Sequence, residues 1–370
     1  MHTFRIVPKI VELKTAAEFC TEFEVNEDDL VFISKSTESC FEGRLEKAHV
    51  IYRGDYGSGE PTDSMVEAIY NDIKDIDYKR VIAVGGGTII DVAKLLALKT
   101  FSPVTDLFSK KFPAQKEKEL IVIPTTCGTG SEVTNISILE LTQLNTKMGL
   151  ADDALFPDYA VLIPQLLENL PDKFFAASSI DALIHSTESY LSPKATTMSK
   201  AFSESAIKKI LSGYMDIYRK GKSARKALTQ QFLAGSTEAG IAFGNAGCGY
   251  VHAMSYPFGA NYHVPHGEAN YVLFLEIFKE YQKANPEGNI KSLNALLAKI
   301  MGCPENSVYE ELEKVLDCIL PHKKMSAYGA KLSDIDLFTT VTVKKQVRLT
   351  SNGYIQFTPE KIKQIYSAVL

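Results

Sequence analysis

The chain has 370 residues, 45% of them hydrophobic and 23% charged, with a formal net charge of −5. These values fit a globular chain of one large or two ordinary domains, and they leave no basic excess for a nucleic-acid surface. No apolar run reaches the roughly 20 residues that cross a bilayer, and the N-terminal segment Met-His-Thr-Phe-Arg-Ile-Val-Pro-Lys has no apolar signal core, so neither a membrane nor a secretory address is expected.

Up to residue 163, strand-like and helix-like patterns alternate. Residues 30–34 and 49–52 read as short buried strands, and 61–76 as an amphipathic helix with acidic residues outward. Residues 80–84 form a third strand, 88–98 a second helix and 120–124 a fourth strand. Apolar strands alternating with amphipathic helices predict a parallel sheet covered on both faces, a Rossmann-like α/β domain over 1–163. From residue 164 onward the helical period dominates, over 172–191, 199–219, 224–243, 267–284, 291–300 and 308–319. Turn signals such as Asn285-Pro286 separate these segments, so an all-helical domain is expected over 164–370. With no low-complexity linker between them, the two halves are expected to place a reaction at their junction. The six cysteines are scattered without a Cys-x-x-Cys pair, which fits reduced thiols and a cytoplasmic setting. Cys127 reads as a small turn residue, since no base lies near it in sequence.

Two turns in the first half carry anion-binding chemistry. Gly85-Gly86-Gly87-Thr88, with Asp91 three residues on, joins a strand to a helix. Glycines admit a close backbone approach, and a helix start offers free N–H groups and positive partial charge, which suits a coenzyme pyrophosphate. The Thr-x-x-Asp spacing of Thr88 and Asp91 also reads as a capping box, a purely structural role. The second turn, Pro124-Thr125-Thr126-Cys127-Gly128-Thr129-Gly130-Ser131-Glu132, follows the next strand and is dense in hydroxyls that suit ribose, phosphate or nicotinamide amide.

The second half carries a metal pattern. Asp181 and His185 stand at i and i+4 and share one helix face. His252 and His266 bound a glycine- and proline-containing segment read as a hinge, where bends let side chains converge. One carboxylate with three imidazoles suits Fe²⁺ or Zn²⁺. Taken singly, His185 reads equally as a core histidine and Asp181 as a helix cap.

Four stretches together resemble the iron-containing (group III) alcohol dehydrogenase family: Gly-Gly-Gly-Thr-x-x-Asp-x-Ala-Lys at 85–94, Pro-Thr-Thr-x-Gly-Thr-Gly-Ser-Glu-Val-Thr at 124–134, Asp-Ala-Leu-x-His-x-x-Glu at 181–188, and His-Ala-Met with Pro-His-Gly at 252–254 and 265–267. The resemblance implies a dehydroquinate synthase-like architecture with a nucleotide-binding α/β domain and a helical metal-binding domain, often as a homodimer. It implies a divalent metal, usually Fe²⁺ with Zn²⁺ as the other choice, on Asp181, His185, His252 and His266. It places Gly86, Gly87, Thr88 and Asp91 at the coenzyme phosphates, Thr125, Thr126, Thr129 and Ser131 along the pyrophosphate and nicotinamide, and Ser137 and Lys147 on the same wall. The stretch from Phe243 to Tyr271 is similar to members acting on 4-hydroxybutyrate. That implies a hydroxy acid or aldehyde acid as substrate, with glycerol, 1,3-propanediol and aliphatic alcohols as the family's other choices. The phosphate-eliminating dehydroquinate synthases are disfavoured, because 243–271 holds no Arg or Lys.

The sequence departs from the family pattern twice. Where many members carry a second histidine four residues after His252, this chain has Tyr256, whose phenol is a poorer base. His263 is then an alternative proton relay, or else a surface loop histidine. Lys35 stands where many NAD-using members carry an acidic residue for the adenosine ribose. NAD remains the expected coenzyme, and Lys35 leaves NADP open. For a substrate carboxylate, Tyr256, His263 and Asn245 are the candidate donors.

Overall fold

The computed structural model describes residues 3–142 and 146–370. It divides into two units, Ile6–Leu170 and Pro171–Leu370, with the N-terminal residues through Arg5 grouped with the second. The division expected after residue 163 thus falls after Leu170. The reason is that the turn Pro164–Leu167 packs Leu166 into an apolar cluster with Ile121, Ile123 and Val161. The N-terminal residues join the helical unit because Phe4 stacks on Phe202 with ring centroids 5.6 Å apart. The Asn245 amide also bonds the Arg5 backbone, accepting at 2.8 Å and donating at 3.0 Å.

In chain order, the first unit runs β1 (Lys9–Glu12), α1 (Ala16–Glu22), β2 (Asp29–Ile33), α2 (Lys35–Glu38), β3 (His49–Tyr52), α3 (Asp63–Ile73), β4 (Arg80–Gly85), α4 (Gly87–Leu96), α5 (Val104–Phe108), β5 (Glu119–Pro124), β6 (Ile136–Leu141), β7 (Thr146–Ala151) and β8 (Tyr159–Leu162). Six strands form one parallel sheet in the order β1-β8-β5-β4-β2-β3, and β6 and β7 pair apart from it as an antiparallel hairpin. Alternation along the central strands decides the layering. Leu30, Phe32, Val81, Ala83, Leu120 and Val122 face one apolar cluster with α3 and α4. Val31, Ile33, Ile82, Val84, Ile121 and Ile123 face another with α1. The parallel register sets Gly85 beside Pro124, so the two polar turns leave the carboxyl ends of neighbouring strands, where open α/β sheets bind ligands.

The second unit is helical: α6 (Asp172–Leu191), α7 (Thr197–Lys220), α8 (Thr229–Ala246), α9 (Tyr250–Tyr262), α10 (His266–Ala284), α11 (Asn289–Met301), α12 (Val308–Ile319), α13 (Ile335–Lys345), α14 (Val347–Thr350) and α15 (Pro359–Val369). Two expectations change here. The segment from His252 to His266 is not a hinge but mostly the helix α9, with Pro257 inside it. Burial of Tyr250, Val251, Ala253, Met254 and Phe258 outweighs the low helix propensity of its glycine and proline. The helix expected over 224–243 is split, with a 3₁₀ stretch at Lys222–Leu228 before α8. Among the described residues, no helix is long and apolar enough to cross a membrane.

Candidate metal centre and coenzyme turns

Helix α6 is buried almost continuously from Ser179 to Leu191, so its polar side chains have little solvent to face. Asp181, His185 and Glu188 lie at i, i+4 and i+7 and share one face. Asp181 is 3% exposed and His185 5%. His252 comes from the first turn of α9, and His266 is the first residue of α10 after Pro265. Gly267 explains how α10 comes so close: a Cβ there would lie 2.0 Å from the Ala177 carbonyl oxygen, one turn before Asp181. Only a glycine lets the start of α10 rest on α6 and deliver His266 to Asp181.

The four side chains converge, with one donor atom from each lying within 4.8 Å of the others. Asp181 Oδ1 is 3.6 Å from His252 Nε2 and 3.8 Å from His266 Nε2. Both distances exceed a hydrogen bond. Donors about 2.1 Å from one tetrahedral ion stand roughly 3.4 Å apart, so the spacing is that of ligands sharing a cation. His252 Nε2 is buried and has no hydrogen-bond partner, and an orphaned imidazole nitrogen beside a carboxylate is the donor a metal would use. The residues therefore fit a divalent ion. The His185 ring is fixed between Phe243 and His252, with ring centroids at 4.2 and 4.6 Å. Burial works against the Asp181 carboxylate, yet His185, His266 and His252 hold its pKa well below the ordinary range.

Two supporting residues carried no assigned role in the sequence reading. Glu188 Oε2 accepts from His252 Nδ1 at 2.6 Å, and Glu188 Oε1 accepts from the Val251 amide at 2.7 Å. A carboxylate on Nδ1 fixes the tautomer that turns the Nε2 lone pair toward the cluster. Its helical spacing from Asp181 and His185 was the available signal. Asn270, one turn after His266, donates to Asp181 Oδ1 at 2.7 Å and lies 3.2 Å from His266 Nε2. Only packing reveals that contact.

The coenzyme turns separate into open and internally bonded residues. Gly86, Gly87, Thr88, Thr125, Thr126 and Thr129 are partly exposed. A Cβ on Gly86 would lie 3.2 Å from Thr126, and one on Gly87 3.0 Å from Thr129, so the glycines let the two turns sit against each other. The Thr88–Asp91 capping box does not form, because α4 is capped by Gly86 without a side-chain bond. Asp91 instead accepts from Ser131 Oγ at 2.5 Å and from the Ile138 amide at 3.0 Å. Ser131 Oγ also accepts from buried Lys94 at 2.7 Å, and Ser137 Oγ donates to the Asp91 carbonyl at 2.8 Å. Asp91, Ser131 and Ser137 thus fasten the second turn and the hairpin to α4. Lys147 pairs with Glu60. Exposed Lys35 rests its amine 5.7 Å from the Tyr52 ring centroid. Cys127 is buried in its turn.

The remaining candidates also diverge. Tyr256 is half-buried, with its ring centroid 5.7 Å from that of His266, and burial pushes its phenol above the ordinary value. It stays protonated at neutral pH. His263 is exposed in the left-handed conformation that ends α9, and no hydrogen bond or ring contact joins it to the ligand set among the described residues. Asn245 is committed to the Arg5 backbone and the Ile241 carbonyl.

Residues 13–164 match the iron-containing alcohol dehydrogenase family, and residues 175–370 match the C-terminal part of the Fe-containing alcohol dehydrogenase family. The chain belongs to the iron-containing alcohol dehydrogenases. It is 47% identical over 370 residues to the 4-hydroxybutyrate dehydrogenase of Clostridium kluyveri, covering 99% of each chain. It is 34% identical over 305 residues to long-chain-alcohol dehydrogenase 1 of Geobacillus thermodenitrificans, covering 80% of this chain and 76% of that one. Its fold matches the iron-containing alcohol dehydrogenase of Thermococcus thioreducens with a TM-score of 0.84 at 25% identity over 99% of each chain. It also matches a sulfoacetaldehyde reductase of Bifidobacterium kashiwanohense, solved with NAD⁺, with a TM-score of 0.85 at 20% identity over 100% and 98%.

Proposed function

We propose that the chain is a metal-dependent, NAD(H)-linked dehydrogenase that interconverts 4-hydroxybutyrate and NAD⁺ with succinate semialdehyde, NADH and a proton. The observation that carries the chemistry is the convergence of Asp181, His185, His252 and His266 with His252 Nε2 left unpartnered. Full-length similarity to the clostridial 4-hydroxybutyrate dehydrogenase supports the substrate. Fe²⁺ is the ion proposed, although the donor set also accepts Zn²⁺.

Bound at this site, a divalent ion supplies Lewis-acid stabilisation of negative charge on oxygen, and a nicotinamide coenzyme supplies the hydride chemistry. The protein's residues divide the other tasks. Asp181 contributes the negative charge of the donor set, and Asn270 holds it in place. Glu188 keeps Nδ1 of His252 protonated and Nε2 available. The backbone of Gly86, Gly87 and Thr88 at the start of α4 binds coenzyme phosphate, and Thr125, Thr126 and Thr129 line the same anion with hydroxyls. Asp91, Ser131 and Ser137 keep those turns in register. Tyr256 donates a hydrogen bond to substrate, and His263, exposed at a helix end, is left out of the proton path.

Succinate semialdehyde, dihydroxyacetone and butanal offered separately to the metal-loaded protein with NADH test this reading by absorbance. Rapid loss of NADH with succinate semialdehyde and slow loss with the other two is expected. Preference for butanal would make the chain a plain alcohol dehydrogenase, and preference for dihydroxyacetone a polyol enzyme.

A further inference from the structure

The proposed substrate carries a carboxylate, and no cation has yet been assigned to it. The carboxylates at the ligand set are Asp181 and Glu188, whose charge a bound dication balances. The stretch 243–271, which supplies two of the histidines, has no Arg or Lys. A substrate carboxylate therefore finds no cation of its own on that stretch to pair with.

A distant segment supplies a cation. Helix α14 packs against α9. Its Leu349, 3% exposed, lies in an apolar cluster with Cys248 and Ala253, against which Tyr256 and Phe243 pack. Asn352 Nδ2 donates to the Cys248 carbonyl at 3.1 Å. A Cβ on Gly353 would lie 2.4 Å from the Tyr250 ring, so the backbone here is seated directly on the first turn of α9. Residues 347–353 are therefore a fixed mount beside the two turns that carry His252 and Tyr256.

Arg348 stands on that mount next to Leu349. Its guanidinium makes no hydrogen bond or ion pair with any described residue. Tyr256 packs against the same apolar cluster as Leu349, the residue that follows Arg348. Tyr256 in turn lies 5.7 Å, ring centroid to ring centroid, from the ligand His266. In an extended four-carbon hydroxy acid, the reacting oxygen and the carboxylate carbon are roughly 5 Å apart. A substrate oxygen at the histidines thus puts its carboxylate on the scale of Tyr256 and the reach of an arginine.

We propose that Arg348 is the carboxylate-binding residue, acting with the Tyr256 hydroxyl to select hydroxy acids over uncharged alcohols. This rests on the substrate reading above. A planar fork of N–H donors matches a carboxylate in two-point contact, which an amine does not.

Steady-state kinetics of the metal-loaded wild type, Arg348→Gln and Arg348→Lys with succinate semialdehyde and with butanal test the assignment. Arg348→Gln is expected to raise KM for succinate semialdehyde by roughly 10-fold or more while leaving kcat and metal content near wild type. Its kcat/KM for butanal stays unchanged, and Arg348→Lys recovers part of the loss. A KM within twofold of wild type, or an equal fall with butanal, overturns the role of Arg348. Failure of the wild type itself to use succinate semialdehyde overturns instead the substrate reading beneath it.

Discussion

His266→Ala is expected to lose bound metal and turnover together, with kcat/KM falling by at least about a thousandfold, the equivalent of about 4 kcal/mol of transition-state stabilisation. His266 suits this test because its side chain is 38% exposed, whereas that of His252 is 3% exposed. Truncation at position 266 opens no core cavity, so folding survives and the loss can be read as chemistry. Metal content by mass spectrometry, NADH absorbance and thermal unfolding should be measured on one preparation. A variant that keeps full activity without metal would remove the proposed role of the cluster.

Glu188→Gln should weaken metal binding by roughly 10- to 100-fold, the usual effect of removing the carboxylate behind a ligating histidine. The replacement keeps size and one oxygen, so the Val251 amide retains an acceptor. What it loses is the charge that holds the proton on Nδ1 of His252. Saturating metal should restore most of the activity, which separates this variant from His266→Ala. Competition against a chelator of known affinity measures the shift. Wild-type affinity in the variant would mean that Glu188 only caps the start of α9.

The ligand set was legible because helical spacing turns sequence distance into direction, so Asp181 and His185 announce a shared face. The same rule reaches Glu188, seven residues after Asp181. The sheet was legible at its centre, where β2, β4 and β5 are short unbroken apolar runs. Strands β1 and β8 were not read; β1 is largely exposed and has no buried residue to mark it. Strand β6 escaped for a different reason: its burial alternates like that of a half-buried ribbon, not like the fully buried strands being sought. Helix α9 was misread because Gly259 and Pro257 are breakers by local propensity, whereas tertiary burial decides. Thr88 and Asp91 have the spacing of a capping box, but Asp91 turns inward to Ser131 and the hairpin. No local rule could find Asn270 against Asp181, or α14 beside α9, because those neighbours are chosen by packing across long stretches of chain.

The most direct measurement is a titration of chelator-stripped protein with Fe²⁺ under anaerobic conditions, following NADH oxidation by succinate semialdehyde at each addition. Activity should rise from near zero in a straight line and break at one ion per chain, and Asp181→Ala should stay flat throughout. Full activity in the stripped protein, or an identical rise and break in Asp181→Ala, would contradict the account.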